Sequence, residues 1–311
     1  MAASEQRESA TGHHFVNTFQ GCPRKWHIKY NLGILPTKLG KALIYGKAWH
    51  EGMDKFYNGA SYEEALGTIY AELEAAKLQF HNLEEYNEAV LKAEPMFKAW
   101  HESIGSKLHE EYEILFVEQQ FEPKVANTYT MTIRPDAVVR RRATGEILIP
   151  EHKTTGYSEQ GMVETVDRGD QATAYTWGML ATHPEYKDDF AGVLLDVVYA
   201  RMYKGVVSGV PTAKQITITR SRFDITTFEL SMYGLFQDIA GRLRKYEARP
   251  ELDALYYPRN GSSCSEFTCE YHSLCRQKLD ARTVLGAAYK IDPWSGRERL
   301  LEEASTDAER T

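Results

Sequence analysis

The chain has 311 residues, 42% of them hydrophobic, and a formal net charge of -7 from 37 basic and 44 acidic side chains. That is enough apolar material for a substantial core, while the negative balance excludes general attraction to nucleic acid and leaves room for a local basic groove or a cation-holding carboxylate cluster. No apolar run is long enough to cross a bilayer and the opening MAASEQRESATGHH lacks the apolar segment of a secretory signal, so a cytoplasmic protein that does not engage membranes is expected.

Residues 15–110 read as helical. In SYEEALGTIYAELEAAKLQF, Ser61 and Glu64 form a capping box ahead of Leu66, Ile69, Tyr70 and Leu73 on one face. Near residue 112 the period changes, and YEILFVEQQFE, YTMTIRPDAVVRR and EILIPEHK read as strands. GMVETVDRGDQATAYTWGMLAT has helical spacing, AGVLLDVVYA reads as a strand, and DITTFELSMYGLFQDIAGRLRKYEA reads as a helix N-capped by Asp224 with Phe228, Met232, Leu235, Ile239 and Leu243 on its apolar face. The expected organisation is a helical N-terminal subdomain at 15–110, a sheet-containing core at 111–247, a cysteine-bearing segment at 248–290 that packs back on the N-terminus, and fraying tails at 1–14 and 291–311.

In ILIPEHKTTG, a pleated strand would point the charges of Glu151 and Lys153 to the side taken by Ile147 and Ile149. A hairpin turning between Ala143 and Thr144 sets Asp136 opposite Glu151, so two carboxylates and a lysine meet on one face. Adjacent carboxylates repel unless a proton or cation lies between them, and oxygen ligands suit Mg²⁺ or Mn²⁺. The Glu-x-Lys pattern also occurs at Glu122/Lys124 and Glu185/Lys187, where loop or strand-end positions suggest solvated pairs; only the middle copy ends an apolar strand.

RPD followed by EHK resembles the PD-(D/E)XK nuclease signature, and the flanking features resemble its RecB-like branch. YGKAWHEGMDKFY is similar to the helical segment in which that branch carries a metal-binding histidine, here His50, and DQATAYTWGM matches its Gln-x-x-x-Tyr motif through Gln171 and Tyr175. The resemblance implies an α/β restriction-endonuclease-like core, a central mixed sheet flanked by helices. It implies Mg²⁺ or Mn²⁺ held by His50, Asp136, Glu151 and the backbone carbonyl of His152, with Lys153 acting on the attacking water and Gln171 and Tyr175 orienting Lys153 or gripping a phosphate.

The four cysteines are Cys22, Cys264, Cys269 and Cys275. In a cytoplasmic chain three clustered cysteines favour a metal or cluster site over disulfides; zinc is open, with His272 able to replace one thiolate. One early cysteine and a late trio resemble the iron-sulfur subset of RecB-like nucleases, including the AddB type and the CRISPR-associated adaptation nucleases, which implies a 4Fe-4S cluster that ties the chain ends together. Arg134, Arg140, Arg141, Arg142, Arg24, Lys25, Arg201 and Lys204 are candidate phosphate contacts, with Trp26 and Tyr203 as stacking platforms.

The reading is therefore a metal-dependent DNA exonuclease or end-processing enzyme of recombination, repair or phage DNA metabolism, in the last case in the host cytoplasm. The alternatives are a structure-specific endonuclease on the same core, or a non-catalytic DNA-binding or assembly subunit. The chain has no Gly-x4-Gly-Lys-Ser/Thr loop, so any helicase is a separate partner, as would be an annealing protein.

Overall fold

The structure, a computed structural model, describes residues 11–264, 269–277, 286 and 288–310. Helices α1 (His13–Gly21) and α2 (Pro23–Trp26) run into a π-helical turn at His27–Asn31 and strand β1 (Ile34–Pro36). Then come α3 (Lys41–Tyr57), α4 (Tyr62–Ala75), α5 (Leu83–Ser103) and the single turn α6 (Leu108–Glu111), which leads into β2 (Tyr112–Val117). Strands β3 (Lys124–Val125), β4 (Tyr129–Thr130), β5 (Ala137–Arg141) and β6 (Ile147–Thr155) precede α7 (Glu159–Arg168), α8 (Asp170–Thr182), β7 (Phe190–Tyr203) and β8 (Val206–Ile218). Last are α9 (Arg222–Ala248), α10 (Asp253–Tyr256), α11 (His272–Gln277), β9 (Tyr289–Ile291) and a C-terminal helix, Arg297–Arg310.

Two compact units result, one of Met1–Thr37, Glu122–Ile133 and Thr226–Thr311, the other of Lys38–Phe121 and Arg134–Ile225. The expected helical block at 15–110 is thus divided. Its first helices belong with the C-terminal residues, whereas α3 and α5 pack on the sheet and α4 packs on α3 and α5, with Trp49, Met53, Phe97 and Trp100 in one cluster with Val139, Leu148 and Val198. The Ser61–Glu64 capping box forms as expected, with the Glu64 amide donating to Ser61 Oγ at 3.2 Å.

The second unit holds a five-stranded sheet in the order β2-β5-β6-β7-β8. Strands β6 and β7 are parallel and the other neighbours antiparallel. With helices packed against it, this is the mixed α/β, restriction-endonuclease-like core expected from the sequence. A two-residue turn at Lys204 and Gly205, both with positive φ, joins β7 to β8, matching the twist of the long hairpin.

Several expectations need correction. YTMTIRPDAVVRR is not one strand: Pro135 has no amide to donate, and the ladder starts again only at Ala137. The stretch 161–182 holds two helices that part at Gly169, where a side chain would meet the Thr165 carbonyl at 2.9 Å. Helix α9 starts at Arg222, before Asp224, whose carboxylate accepts from the Ser221 amide while its own amide donates to Ser221 Oγ, so Ser221 is the cap. Of the expected C-terminal tail, Arg297–Arg310 form a helix that buries Leu300 and Ala304 and seats Asp307 among the hydroxyls of Tyr129 and Tyr233, while Thr311 lies outside the described residues. Of the expected N-terminal tail, residues 1–10 lie outside the described residues, while Thr11 is buried and donates to the Thr130 carbonyl at 2.8 Å. Among the described residues no helix is long and apolar enough to cross a membrane.

Candidate active site

The site is assembled by three strand ends and two helices of the sheet-containing unit. Val139 faces Leu148 and Arg140 faces Ile147 across the β5–β6 hairpin, the register that carries Asp136 to Glu151. The His152 amide donates to Asp136 Oδ2 at 3.1 Å. On β6 the side chains alternate: Glu151 and Lys153 pair on one side, where Gln171 of α8 donates to Glu151 Oε1 at 3.0 Å. The His152 ring goes to the other, 3.0 Å from the Tyr57 hydroxyl of α3.

His50 is two turns before Tyr57 on α3, and its Nδ1 lies 3.1 Å from Asp136 Oδ1. A third acid joins them from β2. That strand shifts register between Ile114 and Phe116, and Glu118 beyond its end has a left-handed φ of 49°, a conformation that turns its side chain out of the strand's alternation. The Glu118 amide donates to the Asp136 carbonyl at 3.0 Å. Ligand atoms of His50, Glu118 and Asp136 all lie within 4.8 Å of one another. Sequence reasoning missed Glu118; its signal was a lone acid closing the apolar run ILFV on the strand paired with the RPD strand.

The remaining residues support this group. Gln171 also donates to the Tyr175 hydroxyl at 3.0 Å, and Tyr175 donates to the Arg134 carbonyl at 3.4 Å, so α8 grips both the Glu151 carboxylate and the peptide before Pro135. Arg134 Nε is 3.2 Å from Glu118 Oε2, so the carboxylate occupies the guanidinium.

Electrostatics mark the group as short of positive charge. Burial and the nearby Asp136 raise Glu118 to about 7. Burial would lower His50, but the Asp136 carboxylate outweighs it and raises the imidazole to about 9. Burial likewise opposes ionisation of Asp136, yet the His50 charge holds it below the usual carboxylate range, while burial leaves Glu151 raised despite Lys153. Glu151 Oε2 is buried with no hydrogen-bond partner, and His50 Nδ1 meets Asp136 at an angle that makes no hydrogen bond. Such an orphaned carboxylate oxygen costs about 1–3 kcal/mol, and a cation among these oxygens would remove the cost. The donors, carboxylate oxygens with one imidazole, fit a hard divalent ion.

The family model of the PD-(D/E)XK nuclease superfamily matches residues 13–276. The chain belongs to this superfamily. No curated relative matches the sequence. As a PD-(D/E)XK nuclease it is a metal-dependent nuclease, and His50, Glu118 and Asp136 form a group of one imidazole and two carboxylates that could hold such an ion. The other Glu-x-Lys copies are elsewhere engaged: Glu122 with Arg299, Lys124 with Glu303, Glu185 with His183.

Several candidate phosphate contacts are likewise paired, Arg140 with Glu113, Arg141 with Glu146, Arg24 with Asp253 and Lys25 with Glu270. Trp26 is no stacking platform: it is fully buried against Phe15, Phe19 and Tyr257. Arg142 and Arg201 are exposed, and Lys204 lies over the half-exposed ring of Tyr203.

In the other unit Cys22, Cys264, Cys269 and Cys275 line one cavity of about 280 Å³ together with His14, Lys25 and His272. Hydrogen bonds from Asn260 to the Gly21 carbonyl and from Tyr271 to the Ile34 carbonyl join the two stretches that supply them.

Proposed function

We propose that this nuclease is a deoxyribonuclease of the RecB-like branch that degrades DNA from an end, in recombination, repair or phage DNA metabolism. The convergence of Asp136, Glu151, Lys153 and His50 beside an orphaned carboxylate oxygen carries the reading. His50, Glu118 and Asp136 would hold Mg²⁺ or Mn²⁺, with Glu151 Oε2 and the His152 carbonyl completing the protein's share. When bound, such an ion lowers the pKa of a coordinated water and neutralises charge on the scissile phosphate. Lys153, held by Glu151, orients the attacking water and offsets charge gathering on the phosphate. Gln171 fixes the Glu151 oxygen that Lys153 uses, and Tyr175 braces the Arg134 peptide that leads into Asp136.

The test is incubation with end-labelled linear and closed circular DNA in Mg²⁺, Mn²⁺ or EDTA. Linear DNA should be degraded in either metal and spared in EDTA, and Asp136→Ala or Lys153→Ala should cut the rate by about 10²–10⁴-fold. Cleavage of circles would establish the endonuclease alternative, and full activity in both variants would refute the assignment.

The cysteine cavity is proposed to hold a 4Fe-4S cluster. A single zinc needs four thiolate or imidazole ligands at about 2.0–2.3 Å from one centre. Among the described residues no cysteine joins any group of three ligand atoms within 4.8 Å, although all four line the cavity, a spacing that suits a wider cluster. Anaerobic purification should yield stoichiometric iron and sulfide; zinc without iron would overturn the cluster and leave the nuclease reading intact.

A further inference from the structure

Behind the site, on the face of the sheet opposite Glu151 and Lys153, lies a buried polar chain that the proposed chemistry leaves unused. Its centre is the His152 ring, 1% exposed, with Nε2 3.0 Å from the Tyr57 hydroxyl and Nδ1 3.3 Å from Asp196 Oδ2. Asp196 pairs with His152 across the parallel β6–β7 register and is equally buried. Trp100 Nε1 donates to its Oδ2 at 3.0 Å and Gln215 Nε2 to its Oδ1 at 2.9 Å.

The surroundings are apolar: Trp49, Phe97, Leu194 and Val198 belong to the same face. A carboxylate in such a layer is costly even when hydrogen-bonded, and a valine or leucine in LLDVVYA would fill the position at lower cost. That stability goes to an acid lying 3.3 Å from His152 Nδ1 without hydrogen-bonding it, while the Tyr57 hydroxyl hydrogen-bonds the ring's Nε2. The backbone amide of the same residue donates to Asp136 Oδ2 and leaves Oδ1 facing His50.

We propose that Asp196 and Tyr57 are positioning residues: by setting the His152 ring between the Tyr57 hydrogen bond and the Asp196 charge they fix the His152 peptide, whose N–H sets the orientation of Asp136 as a metal ligand. Outer partners that orient a ligand in this way typically alter metal affinity by about 10–100-fold. The inference rests on the metal-site reading above, and the test separates the two.

Mn²⁺ binding to the metal-free protein is measured by electron paramagnetic resonance for the wild type, Asp196→Asn, Tyr57→Phe, Asp136→Asn and the Asp136→Asn/Asp196→Asn pair, alongside melting temperatures and DNA kinetics. Asp196→Asn is expected to weaken Mn²⁺ binding roughly tenfold or more and Tyr57→Phe less, with KM for DNA unchanged and the rate restored by excess Mn²⁺. Adding Asp196→Asn to Asp136→Asn should lose nothing further, because Asp196 acts through Asp136. Affinities within twofold of the wild type, with only the melting temperature lowered, would reduce the chain to a structural feature. Should Asp196→Asn fail to fold, Tyr57→Phe decides on the same criterion. A wild type that binds Mn²⁺ but leaves DNA intact would defeat the nuclease reading without touching this one.

Discussion

Glu118 shows how a single residue reaches a place that its neighbours in sequence do not suggest. At the end of a strand it would be an ordinary solvated acid, but a register shift and a left-handed backbone bring it within ligand distance of His50 and Asp136. Glu118→Gln keeps the size and removes the charge, so the Mg²⁺ concentration for half-maximal rate should rise about 10–100-fold with little change in the metal-saturated rate. A rate insensitive to Glu118→Gln across a Mg²⁺ titration would remove it from the ligand set. Asp136, Glu151 and Lys153 stand out in the sequence because acid and lysine side chains at the end of an apolar strand conflict with burial, and that conflict is visible in the pattern itself. Glu118 does not, because its placement depends on one backbone dihedral.

At the scale of elements, the π-helical turn His27–Asn31 carries a second buried histidine with a different fate. His27 stacks on Tyr257 with ring centroids 4.2 Å apart and its Nδ1 lies 3.0 Å from Asn31 Nδ2. Burial, helped by Arg24, lowers its pKa to about 4. The unfolded chain therefore takes up a proton below about 6.5 that the fold refuses until about 4, so stability falls as pH falls through that window, by roughly 3 kcal/mol at most. Urea melts between pH 7 and 4 should show this slope in the wild type and a flatter one in His27→Phe, which keeps the stacked ring without the titrating nitrogen. An unchanged slope would place the acid sensitivity elsewhere. Element boundaries were read less well than element types: the strand ending in RPD breaks at its proline and the helix over 161–182 parts at Gly169, both set by local backbone chemistry within an otherwise apolar pattern.

At the scale of the whole molecule, one unit is built from three stretches far apart in the chain. Its C-terminal helix closes on the 122–133 hairpin, where Glu303 accepts from the Thr130 amide and hydroxyl, and Asp307 accepts from the hydroxyls of Tyr233 at 3.0 Å and Thr128 at 3.3 Å and from Gln237 Nε2 at 3.1 Å. Asp307→Ala strands these donors and should cost about 1–3 kcal/mol, read as a drop of several degrees in the thermal transition of this unit, with metal binding at the other unit intact. A thermal transition unmoved by the substitution would show that the helix contributes little. The sequence alone determined the α/β class, the hairpin register that sets Val139 opposite Leu148, and the three cysteines gathered near residue 270, because each is written in local pattern: period, turn and spacing. Only tertiary structure decided that Glu118 stands beside His50 and Asp136, that Trp26 is buried, and that the polar residues after 290 form a docked helix. Those outcomes depend on contacts between different elements of the chain, and no local periodicity records which partner from another element will cover a side chain or satisfy its charge.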